Sequence, residues 1–291
     1  MITENILEIR DVQKHFKGFQ LNVPKLDIPK GFAIALIGEN GAGKSTLLNI
    51  LAKIRLDFKG ELKYFGGETN EYTIREQIGY TGPDAYFLPH WSVKKISKIC
   101  SLLFDNFHPD RYEEFCTKMG VAIDSKKVSA LSDGMKMKVM LASVFARDTQ
   151  FLLLDEPASP LDPLMRDGLC TLIREYLEEG NGEKSVLFST HNISDMENVT
   201  DYAVIMDKGR IKEQGFVDEL KEKYVYVKGE LQPESNAANV LIGYTQNTYG
   251  YEGLCLADDL DKLAGLDIAI ERPSLSQISI SIMKQCSSLS I

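Results

Sequence analysis

No apolar run in this sequence is long. The purest, Phe32 to Ile37 and Phe151 to Leu154, fall far below the roughly 18 residues a membrane helix needs, and read instead as buried strands. The opening Met1-Ile2-Thr3-Glu4-Asn5 lacks the basic-then-apolar order of a signal peptide, so no secretory leader is expected. Cysteine is sparse: Cys100, Cys116, Cys170, Cys255 and Cys286 are odd in number, scattered and without paired spacing. Neither a disulfide framework nor a structural zinc site is expected, and a reducing cytoplasm is the simple compartment. The four histidines lie far apart, which removes a His-based metal site from the expectations. Positive charge is in deficit, with 33 Lys and Arg against 42 Asp and Glu, a formal net charge of −9. That balance argues against a chain that coats nucleic acid or lies on anionic lipid.

What is present is ordinary globular composition, 44% hydrophobic and 26% charged, over 291 residues. That length allows one large domain or two modest ones. Ile6 to Arg10 and Gln20 to Val23 nearly alternate in polarity, as half-buried strands do. Phe32 to Ile37 is continuously apolar and ends in glycine, which predicts a central strand buried on both faces, followed by a helix from Lys44 to about Lys53. Glu61 to Phe65 and Gln77 to Thr81 are short strand candidates. Between Ser92 and Arg147 the spacing turns helical; strands return at Phe151 to Leu154 and Val186 to Phe188, with a helix from Pro163 to Glu179 between them. Ala203 to Lys212 predicts a hairpin around Asp207-Lys208-Gly209, and Tyr224 to Val227 and Ile278 to Ile282 are strand-like. Alternating strands and helices give an α/β fold with a largely parallel sheet.

The chemistry begins at Gly38-Glu39-Asn40-Gly41-Ala42-Gly43-Lys44-Ser45-Thr46, which fits G-x-x-x-x-G-K-[ST] directly after the apolar strand and before a helix. Glycines let backbone N–H groups close on phosphate oxygens, Lys44 can reach the β and γ phosphates, and the Ser45 hydroxyl can ligate Mg²⁺. A second apolar strand ends in Asp155-Glu156. Asp155 is placed to hold Mg²⁺ through water, and Glu156 to orient or deprotonate the attacking water. Between these motifs lies Leu131-Ser132-Asp133-Gly134-Met135, where a Ser at the start of a helix is also an ordinary cap.

In this order and spacing the chain resembles the nucleotide-binding subunit of an ABC transporter, over roughly Ile6 to Gly229. The resemblance implies an ATPase that dimerises head to tail, with ATP and Mg²⁺ between one P-loop and the partner's signature. Ser132 and Gly134 then contact the partner's nucleotide, and the loop Ser159-Pro160-Leu161-Asp162 touches the opposite subunit. His191 of Ser189-Thr190-His191 is the switch histidine that senses the γ-phosphate. Phe16 stands where the family stacks an aromatic on adenine; a place in the core is the other reading of the same ring. Three departures are visible: Pro83 replaces the expected Gln, leaving Asp84 as the nearest acid for metal or water; Asp133 replaces a signature glycine; Met135 replaces a Gln.

The implied fold is a P-loop NTPase of ABC type with an antiparallel β subdomain, a helical subdomain at about 84–147 and a small C-terminal accessory domain. The implied boundaries are 1–229 for the ATP-binding domain and 230–291 for the accessory one. Leu131 to Lys138 and Lys221 to Gly229 narrow the likeness to short bacterial export ATPases of the bacitracin-resistance and phenol-soluble-modulin exporter type. The implied partners are a second nucleotide-binding subunit, in a homo- or heterodimer, and a separate transmembrane permease that holds this chain at the inner face of the cell membrane. No nucleic-acid partner is implied. Asp84 to Ser129 is the implied docking surface, with Phe87, Leu88 and Trp91 divided between docking and internal packing. Two other readings remain open: a weakly hydrolysing regulatory protein, and an ABC ATPase outside transport.

Overall fold

Strands that are apolar throughout send alternate side chains into two different cores, and that division builds the architecture. The computed structural model describes residues 4–124, 126–230 and 237–286. A hairpin of β1 (Asn5–Phe16) and β2 (Phe19–Pro29) leads to the central strand β3 (Ala33–Ile37) and helix α1 (Lys44–Leu51). β4 (Lys59–Tyr64) returns to β1 and completes an antiparallel sheet in the order β2-β1-β4. After α2 (Glu71–Glu76) and β5 (Ile78–Thr81) comes a helical stretch, α3 (Val93–Leu103), α4 (Pro109–Lys118) and α5 (Asp133–Phe145). β6 (Phe151–Leu154), α6 (Pro163–Glu179), β7 (Ser185–Thr190), β8 (Tyr202–Asp207) and β9 (Arg210–Phe216) follow.

The large sheet runs β5-β6-β7-β3-β8-β9, parallel except for β9. In β3, Ile34 and Leu36 face the core under the antiparallel sheet and α1, while Ala33, Ala35 and Ile37 face the helical side. Phe151 and Leu153 of β6 take the first side, Leu152 and Leu154 the second. A one-residue slip of β3 would exchange its Ala row for its Ile and Leu row between the two buried cores, overfilling one and leaving voids in the other. The β8–β9 turn is a tight hairpin as expected, with positive φ at both Lys208 and Gly209.

The C-terminal part departs from the sequence expectations in two places. α7 (Val217–Lys223) runs without a break into β10 (Tyr224–Gly229), and α8 (Ala237–Val240), β11 (Ile242–Gln246), β12 (Tyr251–Leu256), β13 (Ile268–Glu271) and α9 (Leu275–Cys286) complete the described chain. β10 belongs to this last group, paired between β12 and β13 in an antiparallel sheet β11-β12-β10-β13. Gly229, the end of the first region in the sequence reading, is therefore the last residue of a strand shared with residues beyond it. The second departure is Ile278 to Ile282, which is helix and not strand. An Ile-Ser alternation of five residues fits both periods; the residues outside it decide. Leu275, Ile278, Ile282 and Met283 are buried in the main core, at helical spacing, while Ile280 stays half-exposed.

Candidate active site

Parallel strands end on the same edge of a sheet, so the order β6-β7-β3 brings three motif ends side by side. The amide of Gly38, just past β3, donates to Thr190 O at the end of β7 (3.2 Å). The loop beyond Gly38 closes tightly. Gly43 has φ +105°, and a Cβ there would come within 2.8 Å of the Phe19 ring, so the residue that caps α1 has to be glycine. Asn40 and Gly41 are exposed, Ala42 is buried with its carbonyl accepting from Gly209 N (2.9 Å), and Ser45 and Thr46 are half-buried in the first turn of α1.

Lys44 is only 5% exposed. Its ammonium donates to Gly38 O (2.7 Å) and Glu39 O (3.3 Å) and forms an ion pair with Glu156 Oε1 (3.2 Å) without an aligned hydrogen bond. The other Glu156 oxygen is hydrogen-bonded to His191 Nδ1 at 2.8 Å. Glu156 itself sits at φ +50°, a left-handed conformation that costs a non-glycine residue about 1–3 kcal/mol and that aims its carboxylate along the strand ends. Its amide is satisfied by Ser189 Oγ (2.9 Å), whose own hydroxyl donates to Asp155 Oδ1 (2.5 Å). Ser189 was visible in the sequence as the neighbour of a candidate switch histidine, but its bridging of the two acids was not.

Asp155 is fully buried, and burial pushes its carboxyl above the ordinary aspartate range; the hydrogen bond from Ser189, the nearby Ser45 hydroxyl and the charge of Lys44 oppose the shift, while Glu156 adds to it. Asp155 Oδ2 has no hydrogen-bond partner. A buried, unpaired carboxylate oxygen beside a serine hydroxyl is oxygen-donor chemistry that fits Mg²⁺. Among the described residues no group of three or more His, Cys, Asp or Glu could hold a metal. A cation held by Asp155 and Ser45 would therefore complete its shell with phosphate and water, as Mg²⁺ does.

The remaining sequence candidates fall into three groups. Phe16 is 39% exposed, tilted against Phe19, with Lys14 Nζ (5.3 Å) and Arg55 (5.2 Å) over its ring, so it is a surface residue and not part of the core. Ser132 and Asp162 both cap helices of their own chain: Ser132 Oγ accepts from Met135 N (3.3 Å) and Asp162 Oδ1 from Met165 N (3.0 Å). Gly134 brings these two helix starts together, because a Cβ there would lie 2.7 Å from Pro160 O. Asp133 is exposed and paired with Lys136 (2.8 Å), which holds its carboxyl below the usual range. That cation, one turn along the same helix, offsets part of the charge that Asp133 brings to the signature.

Asp84 is the exception. It lines a hollow with Pro89, Ser129, Asp133, Lys136 and Pro160, and makes no hydrogen bond or ion pair to Lys44, Ser45, Asp155 or Glu156. Pro83 and Asp84 form a bend after β5, and Asp84 lies with Asp133 and Lys136 in that hollow. Of the three aromatic and apolar residues left between docking and packing, Phe87 is buried and Trp91 packs on the core, while Leu88 is exposed.

A glycine-rich loop on the central strand, its lysine held against a strand-end acid and a serine beside a buried aspartate together define a P-loop nucleoside triphosphatase. Comparison with known proteins places it further: residues 21–159 match the ABC transporter family. The chain is 31% identical over 221 residues to the glutamine transport ATP-binding protein GlnQ of Escherichia coli, covering 72% of this chain and 91% of that one. It is 30% identical over 231 residues to ATP-binding cassette sub-family A member 6 of Homo sapiens, covering 75% of this chain but only 14% of the relative. The solved structure of cbiO1 from Clostridium perfringens, part of the ABC transporter complex cbiONQ, superposes with a TM-score of 0.61 at 25% identity, covering 75% of this chain and 90% of that one. The chain belongs to the ABC transporter ATP-binding family, and is an ATPase with ATP as its nucleotide. Among the described residues no helix is long and apolar enough to cross a membrane.

Proposed function

We propose that this chain is the ATP-hydrolysing subunit of an exporter for peptides or antimicrobial compounds, acting as a head-to-tail dimer on a separate membrane permease. The observation that carries the hydrolytic reading is the Glu156 carboxylate, held between Lys44 and His191 and next to the unpaired Asp155 oxygen. In this state Lys44 neutralises Glu156. Entering phosphates compete for the ammonium and release one Glu156 oxygen toward water, with His191 still fixing the other. Mg²⁺ bound at Ser45 and Asp155 would neutralise charge on the β and γ oxygens. Phe16 stacks on the adenine, with Lys14 and Arg55 beside the nucleotide, and Ser132, Gly134 and Asp162 serve the partner's nucleotide. Export is the direction favoured by Leu131 to Lys138 and Lys221 to Gly229, and the Asp133–Lys136 pair keeps the altered signature compatible with a phosphate.

The permease side is best served by an apolar groove of about 490 Å³ between the core and the helical region, lined by Ile54, Tyr80, Tyr86, Trp91 and Leu103. Ile54 and Leu103 are more than half exposed, an apolar surface that a partner would cover. Peripheral attachment to the inner membrane face follows from that contact. The accessory unit is taken to start at Tyr224, where β10 joins the C-terminal sheet.

Glu156→Gln tests the reading directly. It is expected to retain Mg-ATP binding, to lower turnover by roughly 10²–10⁴-fold and to favour the closed dimer. Unchanged hydrolysis in this variant would remove Glu156 from its role. Copurification with the permease, followed by a screen for compounds that stimulate its ATPase, tests cargo and direction; stimulation by imported solutes alone would overturn export.

A further inference from the structure

Nothing in the hydrolytic arrangement requires Arg166, yet this side chain joins two of its loops. Arg166 Nε donates to Ala158 O (3.1 Å) and Leu161 O (2.9 Å), the carbonyls that bracket the turn leading to Asp162. Its Nη1 meets Asp195 Oδ2 at 2.8 Å. The same oxygen accepts from the side chain of Asn192 (3.1 Å), the residue after His191. The grip continues along the helix. Arg166, Cys170 and Arg174 lie four residues apart on one face of α6, and Cys170 Sγ donates to Asp195 O (3.8 Å) while Arg174 donates to Asn198 O (3.0 Å). One helix therefore starts at Asp162 and holds the whole segment behind His191.

The far side of that segment is fixed too. Glu197 accepts from Lys221 (2.9 Å) and from the backbone amides of Leu275 (2.9 Å) and Ser276 (3.4 Å) at the start of α9. The segment after His191 is thus held on one side by the start of the C-terminal helix and on the other by Arg166, Cys170 and Arg174 of α6.

We propose that Arg166 is a positioning residue for ATP hydrolysis: it makes the placement of His191, and through it Glu156, depend on the placement of the loop ending at Asp162. The inference rests on the roles given to Glu156 and His191 above. A guanidinium suits the task because its planar fork spans two carbonyls and a carboxylate at once, whereas an ammonium is a compact point charge. Small displacements at a reacting centre are expensive in rate, so a loosened joint should be read in turnover before it is read in binding.

The test uses the full chain, with steady-state ATPase and fluorescent-ATP titration of Arg166→Ala, Arg166→Lys and Asp195→Asn, each alone and with Glu156→Gln. Arg166→Ala and Asp195→Asn are expected to lower kcat about tenfold with nucleotide affinity within about twofold, and Arg166→Lys to recover part of the loss. With Glu156→Gln already present, none of them should lower the residual rate further, because they act through that carboxylate. Unchanged kcat in Arg166→Ala overturns the proposal. So does a parallel loss of turnover and nucleotide affinity, which would mark a brace for folding alone, or a further fall in the Glu156→Gln background. Full turnover in Glu156→Gln by itself is a different failure, that of the assigned base.

Discussion

The proposed function divides the nucleotide residues between two surfaces of this chain, and their side chains are engaged to different degrees. At the ends of β3, β6 and β7 the reactive side chains occupy one another: Lys44 with Glu156 and two carbonyls, Glu156 with His191, Asp155 with Ser189. On the surface built by Ser132, Gly134 and Asp162 the hydroxyl and carboxylate only cap their own helices, and the exposed Asp133 meets Lys136. On the proposed reading, the first surface is a cradle in which these internal partners occupy the places of phosphate. On the same reading the second is a face presented to the partner's nucleotide. Affinity for ATP should therefore reside in the first, and the second should be felt in turnover.

Lys44→Ala is the strongest way to break that contrast. It removes the charge-assisted donor and leaves Glu156 Oε1 bare, so ATP affinity should fall about 10²-fold in a fluorescent-nucleotide titration. Retained affinity would erase the distinction between the surfaces. Gly134→Ala acts on the other face. Its methyl group would press on Pro160 O and should cost about 1–3 kcal/mol in a denaturant series, lowering kcat while ATP affinity holds. Ser132→Ala should cost about 1 kcal/mol of stability through the lost cap, again without moving ATP affinity; a weakened Kd would assign Ser132 to the cradle. Asp133→Gly is the mildest, because it opens only an exposed ion pair, and kcat should stay within about twofold. A large change would mean that this carboxylate meets a phosphate directly.

Much of the cradle was legible in the residues, because phosphate chemistry demands glycine, lysine, serine and acids at fixed spacing after apolar strands. Lys44, Ser45, Asp155, Glu156 and His191 lie where those motifs put them. Asp84 lies with Asp133, Lys136 and Pro160 in a separate hollow, a neighbourhood set by tertiary packing that local sequence does not encode. The sheet order was legible only as a class. Ile278 to Ile282 misled because five residues of Ile-Ser alternation satisfy a strand and a helix alike, and burial of Leu275 and Met283 settles the choice. The Arg166, Cys170 and Arg174 stripe carries no motif at all; it is visible only once α6 lies against the segment after His191.

The continuity of α7 into β10 has a practical consequence for shortened forms of the protein. A chain cut after Gly229 would keep β10 but lose both of its neighbours, β12 and β13, leaving two rows of unpaired amides and carbonyls beside Tyr226 and Val227, both buried in the intact chain. It would also strip Leu275, Ile278 and Ile282 from the main core. Such a fragment would be sticky for reasons unrelated to ATP. Lost activity in it would measure a raw edge and a hollowed core, so the accessory unit has to be probed by point substitution on its surface and not with scissors.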